Sequence, residues 1–421
     1  MKIKHTLLAG SALAVGSLLA TSSLSAFPIV LGNEDVGELT IGGAMRVNLY
    51  VGDYTQDVAT SVTRGGSGTV ALDTFRINMD YERGSWIGKA EYRFYPGYGT
   101  NNADSYQFFH TLWAGYNLDS GDQVQVGLNR APFGPGAWGI SQSWFFDQHY
   151  YVGLSDNMNV GIKYTLNQVE DWTFDFAYYA VPTPTGSGNN FGRQSSRYSY
   201  DVVDETGMGY EESHQFNVRG IYSTQLGEVN ADLGASLQYQ VLDSKGPQSN
   251  GDMFAGSLHA ILNWGNWTLA PQLSYYNYDV DYQDAAGNTI ETKVVTMGAY
   301  DFPTEVAAEA WIPAVSLSYY QETDGIDWLD YVIPYVEYSS IVKTESDFNN
   351  SDLVTVGAAW AHGNWYIYSD LVFSNGNDFV GNREVSGPRN FGATGGFTSQ
   401  FGENANDSWQ TRFNINFGYY F

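Results

Sequence analysis

Basic residues at alternate positions in several short segments are the side chains of this sequence best placed to act on a solute. In residues 74–82, Arg76 shares one side of an extended chain with Asp80 and Glu82, whereas apolar residues occupy the other side. Basic groups that cluster in this way repel one another unless carboxylates neutralise them or a solute benefits from their field. The residues predicted to form this basic wall are Arg46, Arg76, Lys89, Arg93 and Arg412.

Nearby acidic residues allow two interpretations of the basic wall. Asp80, Glu82 and Glu91 are expected to neutralise part of it. Asp147, in a later loop, is expected to lie opposite the arginines, where it would help to create a transverse field that orients dipolar solutes. In the alternative interpretation, the arginines pair with these acids and only brace the structure.

The loop that contains Asp147, residues 131–158, is rich in aromatic side chains. So apolar a loop is not expected to extend into water, and folding inward against a wall would bury it. We therefore predict a constriction here, with a surface lid or a subunit contact as the alternatives. The candidate constriction residues are Arg130, Phe133, Trp138, Trp144, Phe145, Phe146, Asp147 and Tyr150.

The elements that would position these residues are β-strands. Alternation of apolar and polar residues recurs in sixteen segments from residue 38 to residue 421, and short connections alternate with long ones. It is less regular in residues 106–118, because Phe109 and Trp113 fall on the inward side. Sixteen up-and-down strands place Arg46, Arg76, Arg93 and Arg412 on strands one, two, three and sixteen, which are consecutive around a closed barrel.

Composition favours a barrel in a lipid bilayer over a soluble β-propeller. Aromatic residues make up 16% of the chain, and tryptophan directly follows four of the short turns, at Trp86, Trp172, Trp267 and Trp365. Such rings are typical of the boundary between lipid and water. The number of residues between successive turns varies more than it would between the blades of a propeller. The predicted fold is an all-β, transmembrane, antiparallel up-and-down barrel of sixteen strands with an inward-folded third loop, and its lumen is expected to hold water.

The first 26 residues are predicted to be an export signal. Lys2 and Lys4 precede an apolar run from Leu7 to Ala20, and we place the cleavage site after Ala26. The barrel domain would then comprise residues 27–421. No later apolar run is long enough to form a membrane-spanning helix.

Several functional classes find no support in the sequence. With 46 acidic and 19 basic residues, the chain is an improbable partner for nucleic acid. Cysteine is absent, and the histidines do not occur in metal-binding spacings, so no metal or cofactor is predicted. A Gly-x-Ser-x-Gly elbow is also absent, and no constellation of Ser, His and an acid is predicted. A barrel-based hydrolase and a surface receptor or adhesin remain alternatives of another class.

Four short motifs follow one another between Val126 and Tyr164. They are Gly127-Leu-Asn-Arg-Ala-Pro-Phe-Gly134, Ser143-Trp-Phe-Phe146, Tyr150-Tyr-Val-Gly-Leu154 and Gly161-Ile-Lys-Tyr164. Together they resemble the corresponding segment of Gram-negative porins related to the phosphate-selective group. The resemblance implies a non-enzymatic channel for passive diffusion of small hydrophilic solutes, usually a homotrimer. A channel selective for anions, phosphate or sugars is the alternative, although only five lysines follow the signal, so phosphate specificity is not inferred.

The last strand also resembles that of outer-membrane barrels, because apolar residues alternate up to a terminal aromatic residue. In those proteins, this strand is the signal read by the barrel assembly machinery, and here it would comprise Phe417, Tyr419 and Phe421. The resemblance further implies an outer-membrane location, in contact with outer-membrane lipid and lipopolysaccharide.

Overall fold

The computed structural model describes most of the chain after the predicted export signal, which lies outside the described residues. The described residues are 28–33, 35–52, 69–96, 105–188, 194–283, 286–290, 293–300, 302–380, 401–403 and 408–421.

Sixteen antiparallel strands form a closed barrel, as the sequence predicts. Each strand pairs with the next, and β16 pairs with β1, from Ala44 opposite Tyr420 to Gly52 opposite Arg412. No sheet edge is therefore left open between the first and last strands. The strands are β1 (Gly37–Gly52), β2 (Thr69–Arg83), β3 (Trp86–Pro96), β4 (Ser105–Asn117), β5 (Gln123–Arg130), β6 (Met158–Leu166), β7 (Trp172–Val181), β8 (Tyr210–Leu226), β9 (Val229–Ser244), β10 (Gly251–Trp264), β11 (Trp267–Asp279), β12 (Glu309–Tyr319), β13 (Tyr331–Lys343), β14 (Ser351–His362), β15 (Trp365–Asn375) and β16 (Gln410–Tyr420).

Side chains alternate between an apolar outer face and a mainly polar inner face. On β10, the outward Leu258 is 66% exposed, whereas its neighbour Ser257 is buried inside the barrel. The four tryptophans that follow short turns each contact a tyrosine of the neighbouring strand, with ring centroids 4.7–5.0 Å apart. This is the predicted ring of aromatic residues at one end of the barrel.

Two β-bulges change the alternation near the basic wall. Asp73 is an extra residue in β2, because Arg46 lies opposite Thr74 and Val47 lies opposite Leu72. His110 is the extra residue in β4. A bulge of one residue reverses which side chains face inward beyond it.

The bulge in β4 corrects one prediction. Phe109 is 42% exposed on the outer face, so its predicted inward orientation is wrong. Beyond His110 the alternation resumes with the opposite parity, and Trp113 faces the interior as predicted.

Residues 194–203, 293–300 and 302–308 form a cap on the long-loop side of the barrel, which the sequence did not reveal. Asp201–Val202, Val294–Ala299 and Phe302–Ala307 pair as a small antiparallel sheet. Val295, Met297 and Val306 of this cap are fully buried in one apolar cluster with residues of the barrel wall. Because the cap shares a packed core with the barrel wall, it covers part of the barrel as an ordered layer.

The remaining elements are short. Ile29–Asn33 pairs with β1, Ser187–Gly188 with β4, Gln321–Glu322 with β13, and Tyr282–Gln283 with Thr289–Ile290. Tyr150–Val152 is a single 3-10 turn. In the described part of the chain, no helix is long and apolar enough to cross a membrane.

Candidate functional site

A cavity of about 1010 Å³ lies inside the barrel, and we call it the lumen cavity. It extends from Pro28 and Phe421 on the short-turn side to Tyr200 and Tyr300 on the cap side. Inward side chains of β1–β4 and β16 line one side, and those of β10–β13 line another. Part of the third loop, which runs from residue 131 to residue 157 between β5 and β6, completes the lining.

Three arginines of the predicted basic wall lie together on the β1–β3 side. Arg46 Nε lies 3.0 Å from Asp73 Oδ2, and Arg76 Nη1 lies 3.6 Å from Glu91 Oε1. Arg93 donates to the same carboxylate of Glu91. The structure thus brings these three arginines together and places a carboxylate beside each of them.

Lys89 and Arg412 extend the wall in different ways. Lys89 Nζ lies 3.2 Å from Asp80 Oδ1, and both side chains are nearly half exposed. The guanidinium of Arg412 lies over the rings of Tyr50 and Phe145, at 4.6 and 5.0 Å from their centroids. Contact with rings holds a cation in place without neutralising its charge.

Basic residues outnumber acidic ones around the lumen cavity. Among the described residues, seven basic and three acidic side chains line it, an excess of four positive charges. The basic residues are Arg46, Arg76, Lys89, Arg93, Arg130, Lys163 and Arg412, and the acidic residues are Asp73, Asp80 and Glu91. The lining therefore has the opposite sign to the whole chain, whose formal net charge is −27.

A buried cluster at the base of the third loop continues the basic wall. His110 lies between Glu91 and Asp156, with nitrogen–oxygen distances of 3.5 and 3.6 Å. Arg130 Nη2 lies 2.7 Å from Asp156 Oδ1. Burial raises the pKa of Asp156, but Arg130 and His110 outweigh burial and hold this pKa below its usual range. Sequence reasoning missed His110 and Asp73 because each is a bulge residue or adjoins one.

The third loop makes polar contacts with side chains on the far wall. The Gly134 amide donates to Ser236 Oγ of β9, at 3.1 Å. The Ser141 hydroxyl donates to Glu337 of β13, at 2.6 Å, and the Gln148 amide donates to Ser339 Oγ, at 3.1 Å.

A further contact joins three residue types that sequence reasoning did not place together. His149 Nδ1 lies 2.7 Å from Asp147 Oδ1, and His149 Nε2 lies 2.8 Å from Ser274 Oγ of β11. The prediction that no such constellation exists is therefore wrong. This order of contacts matches a serine hydrolase triad. However, all three side chains are buried, and none of them lines the lumen cavity.

The position of Asp147 differs from the expectation that it faces the arginines. Its second carboxylate oxygen accepts a hydrogen bond from the Ile140 amide, at 3.2 Å, so both oxygens bind groups of the third loop. The acidic side chains that do lie beside the arginines are Asp73 and Glu91.

The other candidate constriction residues divide into two groups. Phe133 packs into the apolar cluster beneath the cap, away from the lumen cavity. Phe146 borders the cavity with a φ of +60°, a conformation that bulky residues rarely adopt. The candidates that line the cavity are Arg130, Trp138, Trp144, Phe145, Phe146 and Tyr150.

Comparisons with known proteins identify the fold. No known protein-family model and no curated protein match the sequence. The barrel is similar to the outer-membrane channel DcaP of Acinetobacter baumannii, with a TM-score of 0.58, 10% identity, and coverage of 93% of this chain and 99% of that chain. It is also similar to OmpF of Salmonella typhi, solved in complex with daunomycin, with a TM-score of 0.51, 12% identity, and coverage of 93% and 100%. For in-vitro folded OmpT of Vibrio cholerae, in a trimer form, the TM-score is 0.50, the identity 12%, and the coverage 91% and 99%.

The chain has the fold of a Gram-negative outer-membrane porin.

In this porin fold, the predicted C-terminal signal residues lie along the seam between β1 and β16. Phe417 is exposed on the outer face, and Tyr419 contacts Trp365. The ring of Phe421 stacks with Phe75, with centroids 6.4 Å apart. Their role as an insertion signal stays a prediction.

The described residues contain no group of three or more His, Asp or Glu side chains placed to hold a metal ion.

Proposed function

We propose that this protein is a channel for passive diffusion of small hydrophilic solutes across the outer membrane of a Gram-negative bacterium. The observation that carries the proposal is the lumen cavity, lined with charged side chains, within a closed barrel whose outer face is apolar. An apolar exterior is solvated by lipid, and a charged interior is solvated by water. The porin fold supports the same conclusion.

The third loop narrows this channel in our proposal. Its aromatic residues Trp138, Trp144 and Phe146 border the cavity, while its polar groups bind the wall of β9–β13. A loop attached at both its base and its middle holds a narrow opening of fixed size.

We further propose a preference for anions. The lining carries four more basic than acidic residues among those described, and ions that pass a narrow charged segment respond to the nearest charges.

The export and assembly that we propose are those that the resemblance to porins implies. In this proposal, residues 1–26 are cleaved, and the barrel assembly machinery reads Phe417, Tyr419 and Phe421. The mature chain then forms a homotrimer surrounded by outer-membrane lipid and lipopolysaccharide. The trimer form of the similar OmpT supports the proposed assembly.

A hydrolase is not proposed, although Asp147, His149 and Ser274 have the contacts of a triad. A nucleophile must reach its substrate, and Ser274 is fully buried between the wall and the third loop. Its hydroxyl group also lies 2.9 Å from Ser257 Oγ, which suits a structural contact.

Planar-bilayer recording of the purified mature protein tests the proposed function. Stepwise increases in current are expected in potassium chloride. In a salt gradient, the reversal potential should have the sign that an anion-selective channel gives. The detergent buffer without protein is the control. A correctly folded barrel that carries no current would reject the channel, and a reversal potential on the cation side would reject the anion preference alone.

A further inference from the structure

Two acidic side chains, on β13 and β15, have no contact with the lumen cavity, although both point into the barrel. Glu337 of β13 is 5% exposed, and Asp370 of β15 is fully buried. Neither residue lines the cavity. Carboxylates at inward positions of a water-filled barrel would ordinarily attract cations, so their burial calls for a physical explanation.

The third loop supplies this explanation. Glu337 accepts hydrogen bonds from the Ser141 hydroxyl and from the backbone amide of Gln142, both in the third loop. Ser316 of β12 donates a third, at 3.0 Å. Neutral donors thus surround this carboxylate, and the loop lies between it and the cavity.

Asp370 is covered in a similar way. Tyr335 of β13 donates to its Oδ1, at 2.6 Å, and Ser143 and the Trp144 amide of the third loop lie at the same carboxylate. Asp147, the acidic residue in the middle of the loop, has both of its oxygens bound within the loop.

We propose that the third loop acts as an electrostatic mask, which removes Glu337 and Asp370 from the path of permeating ions and so makes the basic wall the determinant of selectivity. This inference rests on the proposed channel function and deepens it. It differs from a transverse field, because Glu337 and Asp370 are covered by the loop and do not face the arginines across the cavity.

The contact between His149 and Ser274 attaches the mask to β11, in addition to the contacts of the loop with β9 and β13. The His149 ring crosses from the third loop to β11 and is itself oriented by Asp147. We call these three residues the latch. Without the His149 ring, the loop loses its link to β11, and the carboxylates beneath residues 141–144 become accessible to water. His149 is thus a positioning residue, which acts on ions through the loop.

Permeability ratios of chloride to potassium, measured from reversal potentials, test the mask. The variant Glu337→Gln removes a masked acidic group and should raise the ratio by less than about 1.2-fold, because neutral donors bind the carboxylate and the loop separates it from permeating ions. The matched variant Asp80→Asn removes a charge that borders the cavity and should raise the ratio about twofold. Asp370→Asn provides a second masked position, with the same expectation as Glu337→Gln.

The latch is tested in the same recordings. His149→Ala should lower the ratio about twofold, because the unmasked carboxylates then attract potassium. In the His149→Ala background, Glu337→Gln should raise the ratio about twofold. This non-additivity is the signature of the mask, since two merely structural substitutions would not reverse each other's effect on selectivity.

The results that overturn the inference are distinct from those that overturn the channel. A ratio that responds as strongly to Glu337→Gln as to Asp80→Asn refutes the mask, and an unchanged ratio in His149→Ala refutes the latch as its attachment. If His149→Ala does not fold, the comparison of Glu337→Gln with Asp80→Asn still decides the mask. Absence of current in the unsubstituted protein refutes only the proposed function.

Discussion

The guanidinium groups of Arg46, Arg76 and Arg412, on β1, β2 and β16, border the lumen cavity. In contrast, the carboxylates of Glu337 and Asp370, on β13 and β15, lie beneath the third loop. Both sides of the barrel therefore carry inward charges, but only the first side presents them to water. The arginines are held by acids and rings that leave them at the cavity. Glu337 accepts hydrogen bonds from the loop, and Asp370 accepts one from Tyr335 of the wall.

The difference shows that position along the inward face does not determine what a charged residue does. A charge at the water boundary acts on solutes, and a charge under a loop acts on the loop by accepting its hydrogen bonds. Substitutions on the two sides should consequently affect different properties, namely ion selectivity for the basic wall and stability for the covered wall.

The largest effect is expected from removing two arginines of the basic wall. The double variant Arg76→Ala and Arg93→Ala removes two positive charges and leaves Glu91 without its two guanidinium partners. The chloride to potassium permeability ratio should fall roughly fivefold. Lys245→Ala is the control, since Lys245 pairs with Glu211 outside the lumen cavity. An equal fall in both variants would show that the wall has no special role.

On the covered side, the comparison predicts a loss of stability. His149→Ala leaves Asp147 buried without its imidazole partner and should lower the free energy of unfolding by about 3 kcal/mol. Urea unfolding of the barrel in lipid vesicles, followed by tryptophan fluorescence, measures this change. His362→Ala is the matched control, because its half-exposed pair with Asp330 should contribute about 0.5 kcal/mol or less. Similar losses in the two variants would contradict the latch.

The base of the third loop should respond to acid. Since the pKa of Asp156 is lowered on folding, its contribution to stability is full above the ordinary aspartate pKa of about 4 and is lost progressively as pH falls from there through the lower pKa of the folded state. At pH 7, Asp156→Asn should lower the free energy of unfolding by about 2 kcal/mol relative to the unsubstituted protein. The difference in urea midpoint between the two proteins should be full at pH 7 and pH 5 and smaller at pH 3. A difference in urea midpoint that does not change with pH would show that the ionised carboxylate of Asp156 does not contribute to stability.

The smallest effect is expected at the exposed end of the basic wall. Lys89→Gln removes a charge from an ion pair in which both side chains are nearly half exposed, so stability should change by less than about 1 kcal/mol. Lys89 borders the lumen cavity, as its partner Asp80 does, and the permeability ratio should fall about twofold, less than in the double arginine variant. A fall larger than that of the double variant would show that the segment that determines ion selectivity lies nearer the short-turn end of the channel.

Much of the barrel could be predicted from the sequence, because the alternation of apolar and polar side chains is imposed locally by lipid on one face and water on the other. The sixteen strands and the closure of β16 on β1 follow from it. Simple alternation fails at Asp73 and His110, where a bulge adds one residue. Phe109 was consequently placed on the wrong face.

The missed parts depend on contacts between distant segments. Ser274 lies 125 residues from His149, and nothing near either residue predicts that they meet. The cap strands at residues 201–202 and 294–299 are likewise short, and their strand character comes from mutual burial. Asp147 could be recognised as a loop acid, but its partner could be found only in three dimensions.

The bulges at Asp73 and His110 have a consequence for tracing this chain's ancestry. Deletion of one residue at either bulge would restore strict alternation and turn every following side chain of that strand segment to the opposite surface. An insertion elsewhere in a strand would need a second change to restore the orientation of the side chains that follow it. A sequence alignment that relies only on the alternation of apolar and polar residues will therefore be shifted by one residue on one side of each bulge. Homologous lumen positions should be matched by counting from the nearer turn.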